Sequence, residues 1–159
     1  MKRKVLRMIW LIVIAAASGY LAIATAVFLF QGRLIYFPAK AMTGTPAEYG
    51  LPCEDVSLKT IDGLTLGAWY MPPPAADGPV LLHCHGNGGN ISHRLEVMRS
   101  LREAGAGVLV FDYRGYGRSE GSSDEQGTYR DARAAWEFLT QTKGLPPSRI
   151  ILHGQSLGG

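Results

Sequence analysis

The chain has 159 residues, 47% of them hydrophobic and 18% charged, which suits one globular domain with its own core and excludes a chain disordered by composition. Its formal charge of +3 is concentrated at one end: Lys2, Arg3, Lys4 and Arg7 outweigh it by themselves and leave the remainder slightly acidic, so charge gives nucleic-acid binding no support. Two cysteines, Cys53 and Cys84, make no disulfide framework and have no C-x-x-C neighbour, and they read as free thiols.

Residues 1–7 form a basic tail, followed by an uncharged, mostly apolar stretch from Met8 to Phe30. As a helix rising about 1.5 Å per residue, residues 8–30 would span about 34 Å, enough for a hydrocarbon core of roughly 30 Å. The cluster of four cations before this stretch, against Arg33 and Lys40 after it, predicts a cytoplasmic amino terminus and an extracytoplasmic remainder. Ala24-Thr25-Ala26 also fits the small-residue pattern of a cleavable signal peptide, but the apolar run continues through Val27-Phe28-Leu29-Phe30 and favours a retained anchor.

Residues 31–48 hold Gly32, Pro38, Gly44 and Pro46 and read as a connector leaving the bilayer, with Tyr36 and Phe37 suited to the interface. Residues 49–159 follow as the folded domain. Val56–Lys59 and Leu64–Tyr70 alternate at period two around Asp62-Gly63, which predicts an antiparallel hairpin. Pro72-Pro73-Pro74 and Asp77-Gly78-Pro79 end it, and Val80–His83 reads as a short buried strand. The spacing of Ile91, Leu95, Met98 and Leu101 predicts an amphipathic helix over 91–104, and Val108–Phe111 is a second buried strand. A Gly-rich loop from Arg114 to Gly127 precedes a helix marked by Tyr129, Ala132, Trp136 and Leu139, and a last strand covers Arg149 to His153. Strands alternate with helices, so the fold class is α/β, with a parallel sheet entered through an antiparallel hairpin.

Two glycine-bearing segments carry chemistry. In Gly154-Gln155-Ser156-Leu157-Gly158 a glycine two places on either side of a serine, directly after a strand, permits the sharp turn of a nucleophile elbow; the competing reading is a Gly-rich turn with a solvated serine. His83-Cys84-His85-Gly86-Asn87-Gly88-Gly89-Asn90 lies at the carboxyl end of a strand, where glycines let main-chain N–H groups approach a carbonyl oxygen that gains charge during acyl transfer. The strand ends at His83, Asp112 and His153 are expected to face one crevice.

Other readings of these glycines fail on spacing. A dinucleotide fingerprint would need glycine where Ile91 or Glu120 stands, and no lysine follows a glycine run as a phosphate-binding loop requires. A metal site at His83, Cys84 and His85 lacks further ligands at finger spacing, so these side chains are expected to fix the loop by hydrogen bonds, with His93 on a helix surface. Asp112 is expected to organise its loop, paired with Arg114 or Arg118.

Taken together, Leu34–Pro38, Asp62-Gly63 through Tyr70-Met71-Pro72-Pro73, His85–Asn90, Phe111–Gly121 and His153–Gly159 resemble the amino-terminal half of an α/β hydrolase, within the single-pass membrane-anchored group that includes depalmitoylase-like and lysophospholipase-like members. The resemblance implies an α/β-hydrolase fold after an amino-terminal transmembrane helix. It implies Ser156 as nucleophile, the main-chain N–H groups of Asn87 and Leu157 as oxyanion hole, and His85, Gly86, Gly88, Gly154, Gln155 and Gly158 as residues shaping the site. It implies no cofactor and no metal, and a small-molecule or lipid-like acyl substrate bound through an ester, thioester or amide. In such enzymes the acid and histidine follow the serine. Only Leu157, Gly158 and Gly159 do so here, so the chain reads as truncated after the elbow, without appreciable turnover by itself and with its last strand an open edge. A non-catalytic membrane-anchored pseudoenzyme or binding module, or a secreted hydrolase fragment, remains the alternative.

Overall fold

The computed structural model describes residues 2–159. Its first compact unit is the helix α1 (Lys2–Ile35), whose apolar side chains are exposed along its length and whose central stretch has a mean hydropathy of 2.2. Length and composition suffice for it to cross a membrane. The helix runs past Phe30 through Arg33 to Ile35, and from Tyr36 onward the chain belongs to the second unit.

That unit, Tyr36–Gly159, is built on a five-stranded sheet. Its pieces in chain order are β1 (Phe37–Pro38), β2 (Glu54–Lys59), β3 (Thr65–Met71), β4 (Val80–Cys84), β5 (Gly88–Gly89), α2 (Leu95–Glu103), β6 (Gly107–Phe111), α3 (Glu125–Glu137) and β7 (Ile150–Gly154). The sheet order is β2-β3-β6-β4-β7, with β2, β3 and β6 antiparallel in turn and β6, β4 and β7 parallel, while β1 and β5 form a separate parallel pair. The expected hairpin closes at Asp62-Gly63: Gly63 takes φ 88°, and Thr60 Oγ1 donates to Asp62 Oδ1 at 2.6 Å.

Side-chain alternation along β6 explains its uninterrupted apolar run. Leu109 and Phe111 face one core with Leu66, Ala68, Leu82, Ala135 and Leu139, while Val108 and Val110 face another with Trp69, Met71, Ile91, Leu95 and Met98. Helices cover both faces of the middle of the sheet. At β7 that cover ends: Ile151 and Leu152 are 49% and 69% exposed, and Leu152 lines an apolar hollow of about 340 Å³ with Leu82, Cys84, Ala132 and Trp136.

Both helix starts differ from expectation. The helix over 91–104 opens with a tight turn, Ile91–Arg94, because Asn90 Oδ1 accepts from both Ser92 N–H (3.0 Å) and Ser92 Oγ (2.6 Å) before the α-helix begins at Leu95. The second helix begins at Glu125, inside the stretch expected as loop, since Asp124 caps it by accepting the Gly127 N–H at 2.8 Å. Tyr129 is 60% exposed and donates to Glu125, so it does not mark the core face; Thr128, Asp131, Ala135 and Leu139 do.

Candidate active site

Chain geometry at the end of β7 is set by a left-handed serine and two close approaches. Ser156 has φ 52°, the only positive φ at a non-glycine position among the described residues, a conformation costing on the order of 1–3 kcal/mol that persists only where its surroundings enforce it. A Cβ at Gly154 would collide with the Gly158 carbonyl, and a Cβ at Gly158 would collide with the Cys84 carbonyl, so this turn has room only for glycine at both positions. The Gln155 N–H donates to Cys84 O at 3.1 Å and the Gly158 N–H to Gln155 O at 3.0 Å, tying the turn to the end of β4. Ser156 is left exposed at its crest, and Leu157 follows in the single turn Ser156–Gly158 with its side chain against the core.

The loop after β4 runs beside this crest. Cys84 and Gly154 are register partners on adjacent parallel strands, so both loops leave the same rim of the sheet. A Cβ on Gly86 would stand 3.5 Å from Gln155 O and 3.6 Å from Ser156 Cβ, which brings this glycine of the loop against the serine. The Asn87 side chain is held: its Oδ1 accepts from the Tyr116 hydroxyl at 2.6 Å and from the Phe37 N–H at 3.1 Å. Gly88 and Gly89 pair with Phe37 and Pro38, and Arg94 Nη2 donates to Gly88 O at 2.6 Å. Gly86 is therefore brought against Gln155 and Ser156, while Asn87 and Gly88 next to it are tied to Phe37 and Tyr116.

The histidines are engaged inside this frame. His85 is fully buried, and its Nδ1 contacts Gly86 O at 2.8 Å, bracing the loop from beneath. His83 and His153, cross-strand partners, meet Nδ1 to Nδ1 at 2.8 Å. Burial first, then the neighbouring His153, His85 and Arg94, push His83 down to about 4, so it is neutral near pH 7 and only one of the facing nitrogens carries the shared proton. His93 is exposed at the start of its helix, with its Nδ1 accepting the Asn90 N–H at 3.2 Å. Cys53 and Cys84 are free, and burial raises both thiols, Cys53 to about 11, which keeps them protonated. Among the described residues no three His, Cys, Asp or Glu side chains gather as metal ligands.

Asp112 departs from expectation. It pairs with neither Arg114 nor Arg118; its Oδ1 accepts the Ile91 N–H at 2.8 Å and lies 3.6 Å from His85 Nε2, wholly buried. Arg114 turns to the opposite face of the sheet to meet Asp131 of α3 and Asp62, and Arg118 meets Asp55 on β2. His83 and Asp112 are buried while His153, in contact with His83, is exposed, so the three strand ends do not line one open crevice. Sequence reading missed Tyr116 and Phe37 as neighbours of Asn87. The available signal was their place in Phe111–Gly121 and Leu34–Pro38, two segments already noted for their resemblance.

Comparison with known proteins places the fold. A family model described as the α/β hydrolase fold matches residues 79–159. An uncharacterized protein of Mycobacterium tuberculosis is 42% identical over 148 residues, covering 92% of this chain and 52% of that protein. The α/β hydrolase domain-containing protein WAV2 of Arabidopsis thaliana is 40% identical over 137 residues, covering 82% of this chain and 44% of that one. The crystal structure of an α/β hydrolase from Vibrio vulnificus superimposes with a TM-score of 0.62 at 35% identity, over 71% of this chain and 38% of that one. The chain spans about half the length of the curated relatives it matches. Its sheet order, its rim of loops and these matches agree, and the chain belongs to the α/β hydrolase family.

Proposed function

We propose that this chain carries the nucleophile and oxyanion donors of a membrane-anchored serine hydrolase acting on carboxylic esters, thioesters or amides. The observation that carries the reading is Ser156 itself: a left-handed serine between two sterically required glycines, with the Gly86–Asn87 loop against it. Strain of this kind gathers at functional sites because only an over-determined turn sustains it. In the proposed reaction Ser156 Oγ attacks the carbonyl carbon while a base takes its proton. The main-chain N–H groups of Asn87 and Leu157 stabilise the oxyanion, the leaving group departs with the proton, and water then hydrolyses the acyl-enzyme. The base is taken to be none of the four histidines described, since all of them precede Ser156 in the chain and in such enzymes the histidine follows the serine. It is therefore assigned to the remainder of the full-length protein, and residues 2–159 alone are expected to give no appreciable turnover.

The same reading places α1 in a bilayer with the amino terminus cytoplasmic and the hydrolase part extracytoplasmic, from the cations that precede it. An anchored site meets lipid-like acyl groups at high local concentration, which favours them as substrates. The test is labelling of the full-length protein with a fluorophosphonate. Labelling that disappears in Ser156→Ala supports the serine hydrolase; a folded full-length protein that takes no label, or labels equally without Ser156, assigns the fold to a non-catalytic binding role instead.

A further inference from the structure

The loop that carries Asn87 is poorly suited to hold a donor still by its own covalent structure. Three of the four residues 86–89 are glycines, each adding backbone freedom, and oxyanion stabilisation depends on donors fixed before the reaction begins. Asn87 is the one residue among them with a side chain to grip, and that side chain is gripped from two directions.

One grip is Tyr116. Its ring is fully buried and packs edge-on to His85 at 5.6 Å between centroids, so its hydroxyl has a fixed position from which it donates to Asn87 Oδ1. Burial raises the Tyr116 hydroxyl, which keeps it protonated as a donor. The other grip is the segment that follows α1 in the chain. Phe37 donates its N–H to the same oxygen, β1 pairs with β5, and the Ala39 N–H reaches Gly89 O at 3.1 Å. Asn90 Nδ2 closes the loop's far end onto Ala39 O and Ala41 O at 3.0 and 2.7 Å. The two grips are themselves joined, because the Gly117 N–H, next to Tyr116, donates to Ala39 O at 2.9 Å.

We propose that Tyr116 and the strand Phe37–Pro38 are positioning elements of the hydrolase site, which hold the Asn87 side chain so that its main-chain N–H stays aimed at the carbonyl oxygen in front of Ser156. This rests on the reading of Ser156 as nucleophile and adds to it that the polypeptide leaving α1 is a working part of the site. Tyr116 and Phe37 touch no substrate; they act through Asn87.

A double-mutant cycle in the full-length protein tests this, with Tyr116→Phe, Asn87→Ala and both together, since Asn87→Ala keeps the main-chain donor and removes only the grip. The readout is fluorophosphonate labelling, in which the Ser156 oxygen bonds to phosphorus, fluoride leaves, and the proton goes to the base. Its maximal rate is separated from the half-saturating probe concentration, and thermal unfolding is followed alongside. Each single variant should lower the maximal rate on the order of 10-fold with the half-saturating concentration unchanged, as slight misplacement of a reacting group does. The double variant should be no slower than Asn87→Ala, because both changes release one tie. An unchanged maximal rate in either single variant, or losses that multiply in the double, overturns the proposal. Labelling that depends on Ser156 but ignores Tyr116 defeats this inference alone, whereas labelling that ignores Ser156 defeats the nucleophile reading beneath it.

Discussion

Between Gly154 and Gly158 the backbone turns so tightly that individual atoms decide which residues are allowed. At Gly158 φ is not left-handed, so its requirement for glycine is steric: a methyl would meet the Cys84 carbonyl. Gly144 is the contrast, with φ 66° and open space around its missing Cβ. Gly158→Ala is therefore expected to lower stability by about 1–3 kcal/mol through overpacking and to slow Ser156 labelling as well. Gly144→Ala should cost about 1–2 kcal/mol through its backbone conformation and leave labelling unchanged. Denaturant midpoints and labelling rates of the two variants check this. The glycines of the elbow were legible in the sequence because their spacing around a serine is itself the signal. The grip on Asn87 was not, because Tyr116 and Phe37 lie 29 and 50 positions from it and meet it only after folding.

The elements are joined at one buried ion pair. Arg114, at the start of the loop after β6, donates through Nη2 to Asp131 of α3 at 2.8 Å and through Nη1 to Asp62 of the β2–β3 turn at 2.9 Å, and its own N–H meets Asp131 Oδ2 at 2.7 Å. Gly127 is glycine inside a helix for the same reason: a side chain there would occupy the space of the Arg114 guanidinium. Arg114→Leu leaves Asp131 buried without its partner and is expected to cost about 3–5 kcal/mol, much of it recovered in Arg114→Leu/Asp131→Leu, as chemical denaturation would measure. Strand and helix existence followed from apolar periodicity, and every strand of the main sheet lies within two residues of its expectation. The starts of α2 and α3 did not: a turn capped by Asn90 takes up Ile91–Arg94 before α2, and Asp124 caps α3 at Glu125, local hydrogen-bond choices that periodicity does not encode. Asp112 went to Ile91 and His85 instead of an arginine because Arg114, in the turn after the strand, is taken by Asp131 and Asp62, and Arg118 by Asp55.

At the scale of the molecule, α1 and the hydrolase part are two compact units, and α1 buries none of its side chains. A helix this long and apolar is expected to hold the protein in the membrane pellet through alkaline carbonate extraction, with an amino terminus that still includes the basic tail. A mature terminus beyond Ala26, or release into the supernatant, contradicts the anchor. Replacing Ala15 and Ala16 by arginine should release it, since each charge at the centre of a span costs about 2.5–3.5 kcal/mol.

The amino-acid sequence alone determined the α/β class, the order of strands and helices along the chain, the apolar segment and the glycine-bracketed serine. Each of these is written in neighbouring residues, through side-chain period, composition or steric allowance within a few positions. Only the tertiary structure decided that β4 and β7 lie side by side and put Gly86 next to Ser156, that the residues after α1 clasp the Asn87 loop, and which carboxylate each arginine meets. These depend on segments tens of residues apart finding one register and one rim of a sheet, and pairing between distant strands is set by the packing of the whole core rather than by any local pattern.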